Sequence, residues 1–151
     1  MTSAVALTVL IFVSVECPVS NRYAPEIQRL YQQFRAQGVR FELIYPNRLD
    51  SAASIDAHVK AFGLPASARR DPDHAVVRST GATITPEAAV LDGQNRLLYR
   101  GRIDDRFVAL GRERPDATTH DLRDAIALAL QGRPVAPDRT QAVGCYIADM
   151  K

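Results

Sequence analysis

The feature that most constrains this chain is a strongly apolar run, residues 7–15, which ends just before a Cys-Pro pair. The run is rich in β-branched residues and too apolar to alternate, which is typical of a strand buried on both faces of a sheet. A helical pattern begins a few residues later, so Cys17 lies between the carboxyl end of a central strand and the amino end of a helix. Unpaired N–H groups and the helix dipole favour the thiolate there, and the thiolate is the reactive form of cysteine.

The segments after this turn predict alternating helices and strands. Apolar residues at helical spacing predict a first helix over residues 21–37 that ends at Gly38, a residue suited to the left-handed position. The expected elements after it are a strand over 39–45, a helix capped by Ser51 or Ser54, a short helix over 75–80, a hairpin turn at 92–95, its returning strand over 96–101, and a last helix over 119–131 with Thr118 and Asp121 as an approximate capping box. This order predicts an α/β fold with a mixed sheet.

Size and composition narrow the classes of function. The chain has 151 residues, of which 46% are hydrophobic and 24% charged, as in one globular domain with a sizeable core. The net charge of +2 is spread along the chain without a basic run, which argues against a nucleic-acid partner. The apolar start lacks a positive leader and is too short to span a bilayer, so we predict neither an export signal nor a transmembrane segment. Such a start is also compatible with a domain of a longer protein.

Three stretches carry a resemblance to a known family. They are the turn Cys17-Pro18-Val19-Ser20, the pair Thr85-Pro86, and residues 99–104, Tyr-Arg-Gly-Arg-Ile-Asp, after the hairpin. Together they resemble the thioredoxin superfamily and, within it, the redoxin group related to alkyl hydroperoxide reductase and thiol-specific antioxidant proteins. The resemblance implies that residues 1–134 form a thioredoxin-like domain, a central mixed β-sheet flanked by helices. Residues 135–151 are then an extended C-terminal tail packed on that domain.

The resemblance also implies a site and an activity. Cys17 is expected to be the attacking thiolate of a thiol–disulfide oxidoreductase that acts on protein thiols and disulfides without an organic cofactor. Thr85 and a cis Pro86 are expected to face it, with the Thr85 backbone presented to an extended partner chain. The other expected partner contacts flank the thiol and are Pro18, Ser20 and Arg22.

The second thiol must come from elsewhere, because Ser20 stands where a thioredoxin has the second cysteine of Cys-x-x-Cys. The remaining cysteine, Cys145, lies in an apolar patch of the tail, residues 142–147. A reversible bridge would make Cys145 the resolving thiol. A permanent bridge would instead be a structural disulfide, worth roughly 4–5 kcal/mol by chain entropy, in a redox-inactive interaction domain. The sequence leaves both readings open.

Copper binding is a third reading. Thiolate and imidazole are ligands that soft copper prefers, and the thioredoxin-like Sco proteins combine two cysteines with one histidine. If the tail folds back, Cys17, Cys145 and His74 would form a trigonal copper site. The other two histidines, His58 and His120, are predicted to be ordinary surface residues.

Peroxide chemistry is expected to be weak at most. Peroxiredoxins carry Pro-x-x-x-Thr-x-x-Cys, whereas Leu10 and Ser14 occupy the corresponding positions here. Ser14 could replace the threonine hydroxyl, but the proline is absent, so antioxidant activity is a minor expectation. The resemblance further implies an extracytoplasmic location in a bacterium.

Overall fold

The computed structural model describes residues 6–148, so residues 1–5 of the predicted domain and residues 149–151 of the predicted tail lie outside the described residues. The elements in chain order are β1 (Leu7–Phe12), α1 (Pro18–Arg22), α2 (Ala24–Phe34), a 3₁₀ turn (Arg35–Gln37), β2 (Val39–Tyr45), α3 (Ala52–Phe62), β3 (Ser67–Arg70), α4 (Ala75–Thr80), β4 (Ile84–Thr85), β5 (Glu87–Leu91), β6 (Leu97–Gly101), β7 (Phe107–Ala109), β8 (Arg112–Glu113), α5 (Asp121–Leu130) and β9 (Cys145–Tyr146). No helix between residues 6 and 148 is long and apolar enough to cross a membrane.

Five strands form a mixed central sheet in the order β3-β2-β1-β5-β6. β1, β2 and β3 run parallel, while β5 pairs antiparallel with β1 and β6 antiparallel with β5. Leu7 lies opposite Val39, and the register continues to Phe12 opposite Ile44. The mixed sheet flanked by helices is the predicted architecture.

β1 is buried on both faces of the sheet, as its unbroken apolar sequence predicts. Because successive side chains of a strand point to opposite faces, its residues divide between two apolar clusters. Val9 and Ile11 join the larger cluster, which includes side chains of α2, α3 and α5. Leu10 and Phe12 join the smaller one, which contains Val77 of α4. The carboxyl end of β1 therefore delivers the cysteine turn to the centre of the molecule.

The single helix predicted over residues 21–37 is wrong, since the chain forms two helices that meet at Tyr23, followed by a 3₁₀ turn. Pro18 opens α1, and Pro25 lies in the first turn of α2. A proline suits the start of a helix because its missing N–H would have no partner there. The whole segment ends at Gly38, whose φ of 81° is left-handed, as predicted.

Of the two other predicted helix caps, one is correct and one is wrong. Ser51 caps α3, where its Oγ accepts the N–H of Ser54. The capping box predicted for the last helix is wrong, because His120 is the N-cap residue of α5 and no side chain caps it. The Thr118 backbone and hydroxyl donate instead to Asp105.

Several short strands were not predicted, among them β3, β7, β8 and β9. All four residues of β3 are exposed, so its sequence carries no apolar alternation. β7 and β8 form a hairpin inside the polar stretch expected to be a loop, residues 105–118. Their pairing depends on neighbours in space that no local pattern reveals.

The C-terminal segment contacts the domain at two places. Near residues 138–140 it runs beside β6, where the Arg100 N–H donates to the Asp138 carbonyl at 3.1 Å and the Thr140 N–H donates to the Arg100 carbonyl at 3.2 Å. The Tyr99 hydroxyl also bonds the Thr140 hydroxyl at 2.6 Å. Further along, β9 pairs antiparallel with β4.

Candidate active site at the Cys17 turn

Cys17 lies at the turn between β1 and α1, and its sulfur caps the helix. Its Sγ accepts the backbone N–H of Ser20 at 3.4 Å, and the thiol donates to the Thr85 carbonyl oxygen at 3.3 Å. The residue is only 3% exposed. Pro18 follows as the first residue of α1. The local sequence thus places the sulfur where one backbone N–H, that of Ser20, can stabilise its negative charge.

The opposite wall of the site is the segment around Thr85. The Thr85–Pro86 peptide bond is cis, and Thr85 is buried at the end of β4. The buried carboxylate of Glu87 fixes this segment, because its Oε1 accepts the N–H of Thr83 at 2.8 Å and that of Ile84 at 3.2 Å. The Thr85 carbonyl is therefore held in place beside the Cys17 sulfur.

Cys145 reaches the same place from the other end of the chain. It lies on β9 directly opposite Thr85 in the β4–β9 ladder. Burial, the hydrogen bond with Cys17 and the charge of Cys17 together raise the pKa of the Cys145 thiol to about 12. Both cysteines are free thiols in this structure. The site therefore holds a reduced pair of neighbouring thiols.

A small cleft of about 170 Å³ opens onto this pair. Its lining includes both cysteines, Glu16, Thr85 and Tyr146. Since a water molecule occupies roughly 30 Å³ of liquid, a few waters or a small oxidant fit this space. A folded polypeptide does not fit in a cleft of this size.

The remaining predicted contact residues have separate positions. Ser20 is buried beneath the turn, and its Oγ accepts the N–H of Ser14 at 3.4 Å. Arg22 is not among the residues that line the cleft. Its side chain is mostly exposed and pairs with Glu113 of β8 at 2.5 Å. Arg22 thus ties the β7–β8 hairpin to α1.

The structure does not group His74 with the two cysteines as the expected copper site requires. Between residues 6 and 148 no three His, Cys, Asp or Glu side chains are grouped so that they could hold a metal ion. His74 is buried at the start of α4, where its Nε2 lies 3.0 Å from the Pro46 carbonyl. The His74 ring thus joins α4 to the loop after β2.

Asp50 is a site residue that sequence reasoning missed. Its buried carboxylate accepts the Val15 N–H at 3.1 Å and the Ser14 hydroxyl at 3.4 Å, so it holds the chain just before Cys17. It lies 35 positions from Val15. No local signal could have connected the two.

His58 is the second missed residue, because it is buried rather than at the surface as predicted. Its Nδ1 lies 2.8 Å from the Tyr45 hydroxyl, and its Nε2 lies 2.7 Å from Asn21 Oδ1. Asn21 in turn donates its amide N–H to the Val15 carbonyl at 3.0 Å. Burial lowers the pKa of His58, while the charge of Asp50 partly opposes this shift. The chain of contacts connects α3 to the cysteine turn.

Known proteins of similar sequence or structure place the chain among its relatives. The sequence profile of the AhpC/TSA family matches residues 4–100, and no curated protein matches the chain. An uncharacterised conserved protein of Geobacillus kaustophilus is 27% identical with a TM-score of 0.79, and the match covers 95% of this chain and 78% of that one. A hypothetical protein of Sinorhizobium meliloti 1021 is 27% identical with a TM-score of 0.80, over 93% of this chain and 78% of that one.

A more distant structure shares the fold alone. It is a secreted Mycobacterium tuberculosis disulfide oxidoreductase homologous to E. coli DsbE, 18% identical with a TM-score of 0.52 over 61% of this chain and 66% of that one. These structures confirm the predicted thioredoxin-like fold. The fold and the sequence match together support a redox role, and the chain belongs to the AhpC/TSA family.

Proposed function

We propose that this protein is a thiol–disulfide oxidoreductase in which Cys17 attacks a disulfide and Cys145 resolves the product. The observation that supports this most is the pair of free thiols at the Thr85 carbonyl, Cys17 beside it and Cys145 across the ladder from it. The two cysteines come from opposite ends of the chain.

The raised pKa of Cys145 and the hydrogen bond to the Cys17 sulfur support the order in which the two thiols react. Cys145, with its raised pKa, holds its proton at neutral pH, which leaves Cys17 as the attacking group. The Ser20 N–H points at the Cys17 sulfur and stabilises negative charge on it. The thiolate attacks one sulfur of the partner disulfide, a Cys17–partner disulfide forms, and the partner's other sulfur leaves as a thiolate.

Cys145 completes the exchange. Once Cys17 is bonded to the partner, its negative charge is gone, and one cause of the raised Cys145 pKa disappears. The Cys145 thiol then loses its proton to solvent and attacks the Cys17 sulfur, which forms the Cys17–Cys145 disulfide and releases the partner's second thiolate. The partner is thereby reduced by two electrons. A dithiol protein must return the pair to the reduced state.

Insulin reduction with a dithiol reductant tests this order. Cys17→Ser should abolish the protein-dependent rate. In a separate incubation with insulin and no reductant, Cys145→Ser should retain the first attack and accumulate a mixed disulfide, visible as a mass increase that dithiothreitol removes. Unchanged insulin reduction in Cys17→Ser would refute the catalytic role of Cys17. No trapped adduct in Cys145→Ser would refute the resolving role of Cys145.

Peroxide consumption belongs to the same proposal as a minor activity. The cleft admits a small oxidant, but Leu10 is buried in the sheet where a peroxiredoxin has proline, and the Ser14 hydroxyl donates to Asp50. A hydroxyl already bonded to a carboxylate is poorly placed to activate peroxide. We expect slow peroxide consumption that Cys17→Ser removes.

The remaining proposals concern partners, setting and organisation. We propose protein thiols and disulfides as partners, an extracytoplasmic location, and a thioredoxin-like domain of residues 6–134 with residues 135–148 as a tail. The description of the M. tuberculosis relative as secreted supports the location. Fractionation of the native host with an antibody tests it, and recovery only with cytoplasmic markers would contradict it.

A further inference from the structure

The strand β9 occupies the position beside Cys17 that an extended partner segment would need. β4 is a two-residue strand, and in the described part of the chain β9 is its sole partner. Tyr146 lies opposite Ile84, and Cys145 lies opposite Thr85, whose carbonyl contacts the Cys17 sulfur. Without β9 this backbone edge would be unpaired, and an unpaired edge accepts another strand.

The space around β9 sets a sequence requirement for any strand in that register. A Cβ on Gly144 would lie 2.0 Å from the Thr85 carbonyl oxygen and 2.8 Å from its carbon, so the residue before the cysteine must be glycine. Tyr146 is 81% exposed, and its position accepts any side chain. Ile147 is 6% exposed within the smaller apolar cluster, and its N–H donates to the Thr83 carbonyl at 2.9 Å.

β9 also controls access to Cys17. The Cys17 side chain is buried, and the remaining opening is the small cleft bordered by β9 itself. The contacts of the tail near residues 138–140 are separate from β9 and lie on β6. β9 can therefore leave β4 while the tail remains attached to the domain.

We infer that residues 144–147 are an internal mimic of the partner, and that partner proteins reach Cys17 by replacing β9 on β4 with an extended Gly-Cys-x-aliphatic segment. This inference rests on the proposed oxidoreductase function. Cys17 attacks the disulfide sulfur of the bound segment's cysteine, and the sulfur formerly bonded to that cysteine leaves as a thiolate. When β9 returns, Cys145 attacks the Cys17 sulfur, and the segment departs with its cysteine reduced. Strand exchange and disulfide exchange are then one event.

Peptide disulfides test the sequence requirement. The probe is the blocked peptide Val-Gly-Cys-Tyr-Ile-Ala, whose cysteine is joined to 2-nitro-5-thiobenzoate, and the released thiolate is followed by absorbance. The full chain carries Cys145→Ser so that Cys17 is the reporting thiol. Replacing the peptide's glycine by alanine should slow the reaction by about fivefold or more, since forcing a side chain into occupied space costs at least that factor. Replacing its isoleucine by aspartate should also slow it.

A matched pair of glycine variants tests the competition from β9. Gly144→Ala weakens β9 and should speed attack on the glycine peptide. Gly93→Ala is the control, because its Cβ would meet its nearest atom at 3.6 Å, and its rate should equal that of the parent. The peptide comparison in the parent chain stands even if Gly144→Ala does not fold.

Methyl methanethiosulfonate, which transfers only a methylthio group to a thiolate and needs no strand pairing, separates strand replacement from the oxidoreductase function. If Cys17 reacts with methyl methanethiosulfonate but does not distinguish glycine from alanine peptides, strand replacement is wrong and the oxidoreductase function stands. If Cys17 reacts with neither reagent nor peptide, both are wrong. Faster reaction of the glycine peptide supports the inference.

Discussion

Replacing His58 by leucine should destabilise the protein and loosen the cysteine turn. The Asn21 amide N–H is donated to Val15, so Asn21 Oδ1 accepts from His58 Nε2–H, and His58 Nδ1 accepts from the Tyr45 hydroxyl. Leucine is similar in size but offers no polar atom. It leaves the buried Tyr45 hydroxyl and the half-buried Asn21 Oδ1 without these partners.

The size of the effect follows from these two groups. A buried polar group left without its partner costs about 1–3 kcal/mol, so we expect the free energy of unfolding to fall by about 2–4 kcal/mol. His120→Leu is the control, since that ring caps no N–H of α5. The His120 side chain is half-buried and has no hydrogen bond within residues 6–148, so this change should stay within about 0.5 kcal/mol.

His58 also predicts a dependence of stability on pH. Burial lowers the pKa of His58 in the native state, so the unfolded state binds a proton at a higher pH, about 6.5. The stability from neutral His58 is therefore complete above that pH and is lost as the pH falls toward the lowered native pKa. His58→Leu should remove this part of the acid sensitivity.

Urea unfolding at several pH values, with the rate of Cys17 alkylation measured alongside, checks both effects. His58→Leu should lower the urea midpoint and speed alkylation, because Asn21 holds the Val15 carbonyl less firmly. Equal midpoints for His58→Leu and His120→Leu, with the same pH dependence as the parent, would refute this account of the turn.

Two further predictions concern contacts away from the cysteines. Burial would raise the pKa of Asp105, but the hydrogen bonds from Thr118 and Thr119 hold it well below its usual range. The stabilisation from ionised Asp105 is therefore complete above about pH 4 and is lost on acidification. Asp105→Asn should flatten an acid-unfolding curve below that pH, and an unaltered curve would contradict this. Tyr99→Phe removes the hydroxyl bonded to Thr140 and to the Arg102 carbonyl. It should lower the free energy of unfolding in urea by about 1–2 kcal/mol and speed proteolysis near residue 140. Unchanged cleavage would show that this hydroxyl does not hold the tail.

Local signals made much of the fold predictable. β2 and α4 have the predicted bounds because Pro46 follows the strand and Gly81, with a φ of 80°, ends the helix. β3 escaped prediction because its four side chains are exposed and its stability comes from pairing with β2. The break at Tyr23 escaped because apolar spacing continues through it.

The candidate site also has a part that a local sequence pattern predicts and a part that depends on contacts between distant residues. The sequence indicated the strand-to-helix turn at Cys17, since an apolar strand followed by Cys-Pro is a local pattern. The contacts of Asp50 and His58 with that turn join residues more than 30 positions apart, and no spacing reveals them. The contact of His74 with the Pro46 carbonyl was hidden for the same reason, because it joins residues 28 positions apart.

The most direct test of the central claim is the reduction potential of the Cys17–Cys145 pair, measured by equilibration in glutathione or dithiothreitol buffers with alkylation and mass spectrometry. The proposed mechanism predicts a reversible disulfide between about −270 and −120 mV, the span of known dithiol oxidoreductases. A potential below about −300 mV would mark a structural disulfide, and two thiols that never pair would contradict the resolving role of Cys145.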